Sequence, residues 1–92
     1  MKSILQDNNE ECYICGRQYG LECHHIYAGV ANRKISEANG FKCMLCHQCH
    51  TGSGGAQYEK ELNLRLKREC QAKFEETHTR EEFRKLIGKS YL

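Results

Sequence analysis

The chain has 92 residues, of which 39% are apolar, with no tryptophan and a formal net charge of only +2. This length predicts one domain, residues 1–92, near the size at which small folds commonly need a disulfide or a bound metal. No apolar run approaches the roughly 20 residues that a membrane span requires, so no membrane segment is expected. The small net charge by itself neither indicates nor excludes an acidic partner.

The cysteine content indicates metal binding rather than disulfides. The chain has seven cysteines, an odd number, and its N-terminal stretch MKSILQDNNE lacks the apolar core and cleavage site of a signal peptide. We therefore expect a reducing, cytoplasmic location. There, closely spaced cysteine pairs are more often metal ligands or redox groups than structural disulfides.

The N-terminal half predicts a cysteine turn followed by two short strands. Residues 1–11 are polar and are expected to be flexible, and Cys12 and Cys15 flank a tight turn of the zinc-knuckle type. The segments that follow are a strand at 21–26, a connector at 27–40 with a short helix after Ser36 that stops at Asn39-Gly40, and a second strand at 41–45 with alternating side chains.

The C-terminal part, residues 56–92, predicts two helices after a glycine-rich joint at 51–55. From about Ala56 to Glu76 the apolar residues recur every four positions, at Tyr58, Leu62, Leu66, Cys70 and Phe74. A capping-box sequence, Thr79-x-x-Glu82, then predicts the start of a short helix that ends at Gly88.

The run KCMLCHQCH, residues 42–50, contains two overlapping Cys-x-x-Cys-His frames. A structural zinc site takes four ligands, so Cys12 and Cys15 need a second pair. If Cys43 and Cys46 bind the zinc, the first ligand lies inside the predicted strand and is removed from its apolar face. If Cys46 and Cys49 bind it, the strand ends at Leu45 and the pair lies in the turn that follows. We favour the second pair. Haem attachment requires export, for which the sequence has no signal. The remaining cysteines are expected to be packing residues: Cys23, Cys43 and Cys70.

The histidines give the second chemical indication. His24 and His25 are consecutive in a predicted strand, so their side chains point to opposite faces, and His50 follows the last predicted zinc ligand. Three imidazoles on a zinc-stapled frame can bind a second divalent ion and supply a general base, which together can hydrolyse a phosphodiester. The residues alone do not decide whether His24 or His25 is the base.

These motifs together resemble the HNH (His-Me finger) nucleases, in particular small phage-type members. The matching elements, in order and spacing, are Cys12-x-x-Cys15, His24-His25-Ile26 and Leu45-Cys46-x-x-Cys49-His50. The resemblance implies a small α+β protein with a zinc-stapled ββα-metal (His-Me finger) fold and C-terminal helices. It also implies a DNA endonuclease of a phage-infected or prophage-bearing bacterium.

The resemblance also implies the roles of the histidines. His25 would be the general base that takes a proton from water, and His24 and His50 would hold a catalytic Mg²⁺ or Mn²⁺, with Ni²⁺ as a further option. Two departures from the family pattern bear on this site. The strand GFKCML lacks the asparagine that steadies the base in many members, with Asn39 the nearest substitute, and Gln57 stands where related chains place a further histidine ligand.

The expected partner is duplex or branched DNA, with monomer and homodimer both open. Its phosphates would be contacted by basic residues of the inter-strand loop and of the long helix, namely Arg33, Lys34, Arg65 and Arg68. The competing interpretation of these charges is a solvated surface. The competing function is a catalytically silent zinc module that binds DNA or a protein, while a thiol-disulfide oxidoreductase fits the paired cysteines less well.

Overall fold

The computed structural model describes residues 3–7, 9–52, 55–56 and 59–92. Within these residues it shows a small α+β architecture, as predicted, with one two-stranded antiparallel sheet and four helices. The elements in chain order are β1 (Leu21–His25), α1 (Val30–Asn39), β2 (Lys42–Cys46), α2 (His47–His50), α3 (Lys60–Phe74) and α4 (Arg80–Ile87).

The sheet confirms both predicted strands to within one residue at each end. Leu21 pairs with Cys46 and His25 pairs with Lys42, so the two histidines of β1 face the first half of β2. The strand does not stop at Leu45, as the preferred cysteine frame assumed, because Cys46 is still paired in the sheet. Helix α2 begins at the next residue.

Helix α1 is longer than the sequence predicts. It begins at Val30, not after Ser36, and Ser36 is its one buried residue. Its N-cap is Gly29, which forms no side-chain cap hydrogen bond, and its first turn has no acidic residue, so the sequence lacks the side chains that usually mark the start of a helix. The helix ends as predicted, because Gly40 adopts the left-handed conformation (φ 73°) and donates its N–H to the Ser36 carbonyl.

Helix α3 is shorter than predicted and helix α4 is as predicted. The structure assigns α3 to Lys60–Phe74, with Ala56 in a turn; Tyr58 and Gln57 lie outside the described residues. In α4 the capping box is formed, since the Thr79 hydroxyl accepts from the Glu82 N–H (3.1 Å) and the Glu82 carboxylate accepts from the Thr79 N–H (3.0 Å). The helix ends at Gly88, whose φ is 98°.

An aromatic cluster joins the sheet to the C-terminal helices. The rings of Tyr27, Phe41, Phe74 and Phe83 contact one another with centroid distances of 5.4–6.0 Å. Two of these residues border the strands and the other two come from α3 and α4. The Tyr27 hydroxyl also donates to the backbone carbonyl of Lys67 at 2.7 Å, which satisfies its buried polar group.

The N-terminal segment contacts β2. The Ile4 N–H donates to the Gly40 carbonyl (3.1 Å), and the Gln6 side-chain oxygen accepts from the Met44 N–H (2.7 Å). No helix or strand forms in the described part of residues 1–11. These hydrogen bonds connect the described part of the segment to Gly40 and to the edge of β2.

We expect Thr79→Ala to lower the free energy of unfolding by about 1 kcal/mol, because the N–H groups at the start of α4 lose their acceptor. Urea unfolding of the zinc-loaded protein measures this change. Thr79→Ser keeps the hydroxyl and should stay near wild type. Equal destabilisation by both substitutions would show that the methyl group, and not the cap, stabilises α4.

Candidate metal centre and histidine cleft

The first cysteine pair lies in a tight turn that is hydrogen-bonded to β2. The Cys12 N–H donates to the Arg17 carbonyl (2.8 Å), and the Gly16 N–H donates back to the Cys12 carbonyl (2.9 Å). The Tyr13 N–H donates to the Met44 carbonyl at 2.8 Å. The turn is therefore held beside the end of β2, where the second cysteine pair begins.

Four cysteines come together at this point. The Sγ atoms of Cys12, Cys15, Cys46 and Cys49 all lie within 4.8 Å of one another, and those of Cys15 and Cys46 are 3.6 Å apart. Sulfur atoms bound to one tetrahedral zinc at about 2.3 Å lie roughly 3.8 Å apart. The four residues therefore could hold a zinc ion. They form the one such group of histidine, cysteine or acidic residues among the described residues.

Strand geometry explains why Cys43 is not part of the cluster. Side chains three positions apart in a strand point to opposite faces, so Cys43 and Cys46 of β2 cannot face one ion together. Cys43 is fully buried in the core, and burial raises the pKa of its thiol to about 12. Cys70 is likewise buried in α3, with its pKa also raised to about 12 by burial. Both behave as neutral packing residues.

The sulfur atoms of the cluster differ in their proton affinity. Burial raises the pKa of Cys12, but backbone N–H groups of Cys15, Cys46 and Ile14 outweigh it and lower the value to about 6. The pKa of Cys49 is raised, by burial and by hydrogen bonds with the neighbouring sulfur atoms. The lowered pKa of Cys12 favours its thiolate, the form in which cysteine ligates zinc.

A second group of side chains lies where β1 faces α2. The ring centroids of His24 and His50 are 5.2 Å apart, at an interplanar angle of 68°. His24 is 7% exposed, and its Nε2 atom is buried without a hydrogen-bond partner among the described residues. Its pKa is lowered to about 4, mainly by burial and then by the nearby charges of His50, His25 and Lys67. His24 is therefore a neutral imidazole with an unused ring nitrogen.

Glu22 holds the other ring of this pair. Its two carboxylate oxygens contact Nδ1 of His50 (2.7 Å) and Nδ1 of His47 (3.0 Å). These hydrogen bonds lower the pKa of Glu22. The contact leaves Nε2 of His50 for another ligand. Glu22 was not among the predicted site residues, although it lies two residues before His24 and hence on the same face of β1.

His25 has a carboxylate partner of its own. Its Nε2 atom lies 2.7 Å from Oε1 of Glu37 on α1, and the other Glu37 oxygen accepts from the buried Lys42 ammonium. The hydrogen bonds with Lys42 and His25 lower the pKa of Glu37 to about 2. Glu37 was not among the predicted site residues, because the sequence does not show that helix α1 lies beside β1.

A cleft of about 550 Å³ connects these groups. His24, His25 and His50 line it together with Arg33 and Asn63. The cleft runs along β1 and the start of α1, so all three imidazoles line one small region of the protein.

The four residues predicted to contact DNA lie on two different helices. Arg33 and Lys34 are exposed on helix α1, not on a loop as expected, and Arg33 lines the cleft. Arg65 forms an ion pair with Glu69 (2.7 Å), and the Arg68 guanidinium donates to the Tyr91 carbonyl (3.1 Å). Of the four residues, Arg33 is the one that the structure places beside the histidines.

The two family departures have different outcomes. Asn39 does not contact His25, since its side-chain amide donates to the Ile35 carbonyl one turn earlier in α1 (2.9 Å). The side chain that contacts His25 is instead Glu37. Gln57, the tentative third ligand, lies outside the described residues.

Comparison with known proteins finds no matching family model, no matching curated protein and no matching solved structure. Across the described part of the chain, no helix has both the length and the apolar character needed to cross a membrane.

We expect the purified protein to bind one zinc ion per chain through the four clustered cysteines. Cys43→Ala should keep this stoichiometry, whereas Cys46→Ala should lose tight binding, because the first sulfur lies in the core and the second in the cluster. Zinc content after dialysis measures both. Removal of zinc by a chelator should also unfold the domain, as in other small metal-dependent folds. Loss of zinc from Cys43→Ala would assign the site to the other cysteine frame.

Proposed function

We propose that this protein is a metal-dependent endonuclease of the HNH (His-Me finger) type that hydrolyses DNA phosphodiester bonds. The observation that carries the proposal is the unpartnered, buried Nε2 atom of His24 beside His50, within a cleft that also contains His25. A buried polar atom without a partner costs roughly 1–3 kcal/mol, and such atoms occur where a ligand or ion binds.

The cysteine cluster would fix one side of this cleft, because it lies next to His50. With zinc bound to the four sulfur atoms, the turn at Cys12–Cys15 is cross-linked to the end of β2 and to α2. His50 follows the last of these cysteines directly, so the same cross-link fixes the position of its ring. Zinc here has a structural role, because all four of its coordination positions are filled by protein.

The histidine pair fits a divalent ion. His24 offers Nε2, and His50 offers Nε2 because Glu22 contacts its other nitrogen, the arrangement that orients imidazole ligands in metal sites. A bound Mg²⁺ or Mn²⁺ would supply charge stabilisation for the phosphate and the leaving oxygen. Two imidazoles leave several positions for water and phosphate oxygens, so the ion should bind tightly only with DNA present.

The remaining roles belong to His25 and Arg33. His25 takes a proton from the attacking water, since it lies in the same cleft as the ligand pair and its ring is held by Glu37. Arg33, on the cleft wall, contacts a phosphate next to the scissile bond. His24 is the ligand and His25 is the base because His24 has the buried nitrogen and His25 has the carboxylate partner.

A second candidate function is a catalytically silent zinc module that binds DNA or a protein partner. One observation favours it: among the described residues, the histidine pair does not gain a third histidine, cysteine or acidic ligand, whereas the cysteine cluster has four. Under this alternative the zinc site and the DNA contacts persist while cleavage is absent.

We expect His25→Ala to reduce the nicking of supercoiled plasmid by roughly 10² to 10⁴, with zinc content and DNA affinity unchanged, because loss of a general base has that typical cost. The control is His78→Ala, which removes an exposed histidine that stacks on Phe74 away from the cleft. Nicking by His25→Ala at the wild-type rate would contradict the base assignment. No nicking by the wild-type protein with any divalent ion, but retained DNA binding, would favour the silent module.

We expect Mn²⁺ to support faster nicking than Mg²⁺, because imidazole is a better ligand for the softer ion. His50→Ala should weaken Mn²⁺ binding, measured by calorimetry on the zinc-loaded protein with a non-cleavable DNA duplex. His47→Ala is the matched control, since His47 contacts the same carboxylate but is exposed. Unchanged Mn²⁺ binding and nicking in His50→Ala would show that the proposed ion site does not exist.

A further inference from the structure

Glu37 connects two side chains of different strands. One of its oxygens lies 2.7 Å from Nε2 of His25 at the end of β1, and the other accepts from the ammonium of Lys42 at the start of β2. His25 and Lys42 are also direct neighbours across the sheet. Lys42 is only 5% exposed, so its charge depends on this carboxylate. The position of Glu37 is therefore fixed from two sides, although its own side chain is half exposed.

Hydrogen-bond chemistry fixes the proton on His25. An ionised carboxylate accepts hydrogen bonds and cannot donate one, and a lysine ammonium donates and cannot accept. Both Glu37 oxygens are consequently acceptors. The His25 nitrogen that faces Glu37 must carry the hydrogen, and in a neutral imidazole the other nitrogen, Nδ1, then has the free lone pair.

We propose that Glu37 is a positioning residue that holds His25 as the Nε2–H tautomer and so makes Nδ1 the atom that accepts the proton from water. This inference rests on the proposed nuclease function for its catalytic part. The contact between Glu37 and His25 itself can be tested without that function.

The proposed step is balanced in protons and bonds. Nδ1 of His25 takes one proton from water while the water oxygen forms a bond to phosphorus, and the bond from phosphorus to the 3′ oxygen breaks. The leaving oxygen takes a proton from solvent, and His25 later returns its proton to solvent. While His25 is an imidazolium, Glu37 provides the opposite charge at Nε2–H.

Lys42 makes Glu37→Gln an informative substitution. The glutamine side chain has one acceptor oxygen, and the buried ammonium of Lys42 can only be satisfied by that oxygen. The glutamine NH₂ group then faces His25, so Nε2 must become an acceptor and the proton moves to Nδ1. The substitution should therefore invert the tautomer with almost no change in shape.

The test is long-range ¹H–¹⁵N NMR of zinc-loaded protein at pH 8, without DNA or added divalent ion, with the His25 signals assigned by their loss in His25→Ala. We expect the Nε2–H tautomer in wild type and the Nδ1–H tautomer in Glu37→Gln. The control Glu81→Gln changes an exposed glutamate of α4 and should match wild type. A wild-type His25 in the Nδ1–H form, or an unchanged tautomer in Glu37→Gln, would overturn the inference.

Nicking assays then measure the consequence for catalysis. We expect kcat of Glu37→Gln to fall by roughly 10² to 10⁴ at unchanged KM, because the base atom is blocked while the DNA contacts persist. A wild-type kcat in a variant with the inverted tautomer would overturn the positioning role. If the wild-type protein does not cleave DNA, the proposed function fails, while the tautomer measurement still decides whether Glu37 sets the proton on His25. If Glu37→Gln does not fold, a wild-type His25 in the Nδ1–H form would still overturn the inference.

Discussion

The four-cysteine cluster is the constraint on which the rest of the structure depends. The sheet has only two strands of five residues each, which by itself is marginal in water. The cluster joins the turn at Cys12–Cys15 to the last residue of β2 and to α2. These segments surround the sheet end at which α2 begins. Without a metal ion the same region would place several thiols against one another with little apolar burial to offset the loss of chain entropy.

The aromatic cluster stabilises the opposite end of the sheet. Tyr27 follows β1 and Phe41 precedes β2, so their contact closes the sheet where the cysteine cluster is absent. Phe74 and Phe83 attach α3 and α4 to this pair. The histidines lie between the two anchored ends. A site held from both sides can keep its imidazoles oriented in a protein too small to surround them with a large core.

The sequence predicted the elements whose side chains alternate between core and solvent. Both strands, the buried face of α3 and the capping box of α4 follow from local patterns, and these are correct to within a few residues. The grouping of Cys46 and Cys49 with Cys12 and Cys15 was also predicted. The assumption that the strand ends at Leu45 was wrong, but Cys46 lies on the face of β2 opposite to the core residue Cys43. The first part of helix α1 was missed because its N-cap, Gly29, has no capping side chain and its first turn has no acidic residue to mark a helix start.

That omission explains why Glu37 was missed, but not why Glu22 was. The three histidines could be selected as candidate ligands from their residue type alone. Nothing in the sequence distinguishes Glu22 and Glu37 from other glutamates, because their role depends on their contacts with histidines in the folded chain. Glu22 could have been found from the alternation of β1, which places it beside His24. Glu37 could not be found in this way, because its contact with His25 depends on the position of helix α1 relative to the paired strands.

The charges around the cleft show how the site differs from the rest of the surface. Arg65 and Arg80 have carboxylate partners at 2.7 and 3.2 Å, which uses their charge within the protein. The two carboxylates that contact the cleft histidines, Glu22 and Glu37, have partners other than Arg33: His50 and His47 for Glu22, and His25 and the buried Lys42 for Glu37. Glu22 and Glu37 orient the imidazoles of His50 and His25, and the exposed guanidinium of Arg33 lines the cleft, where it can contact an anion. Under the proposed function this arrangement would favour a phosphate substrate, since the carboxylates of Glu22 and Glu37 already have partners within the protein.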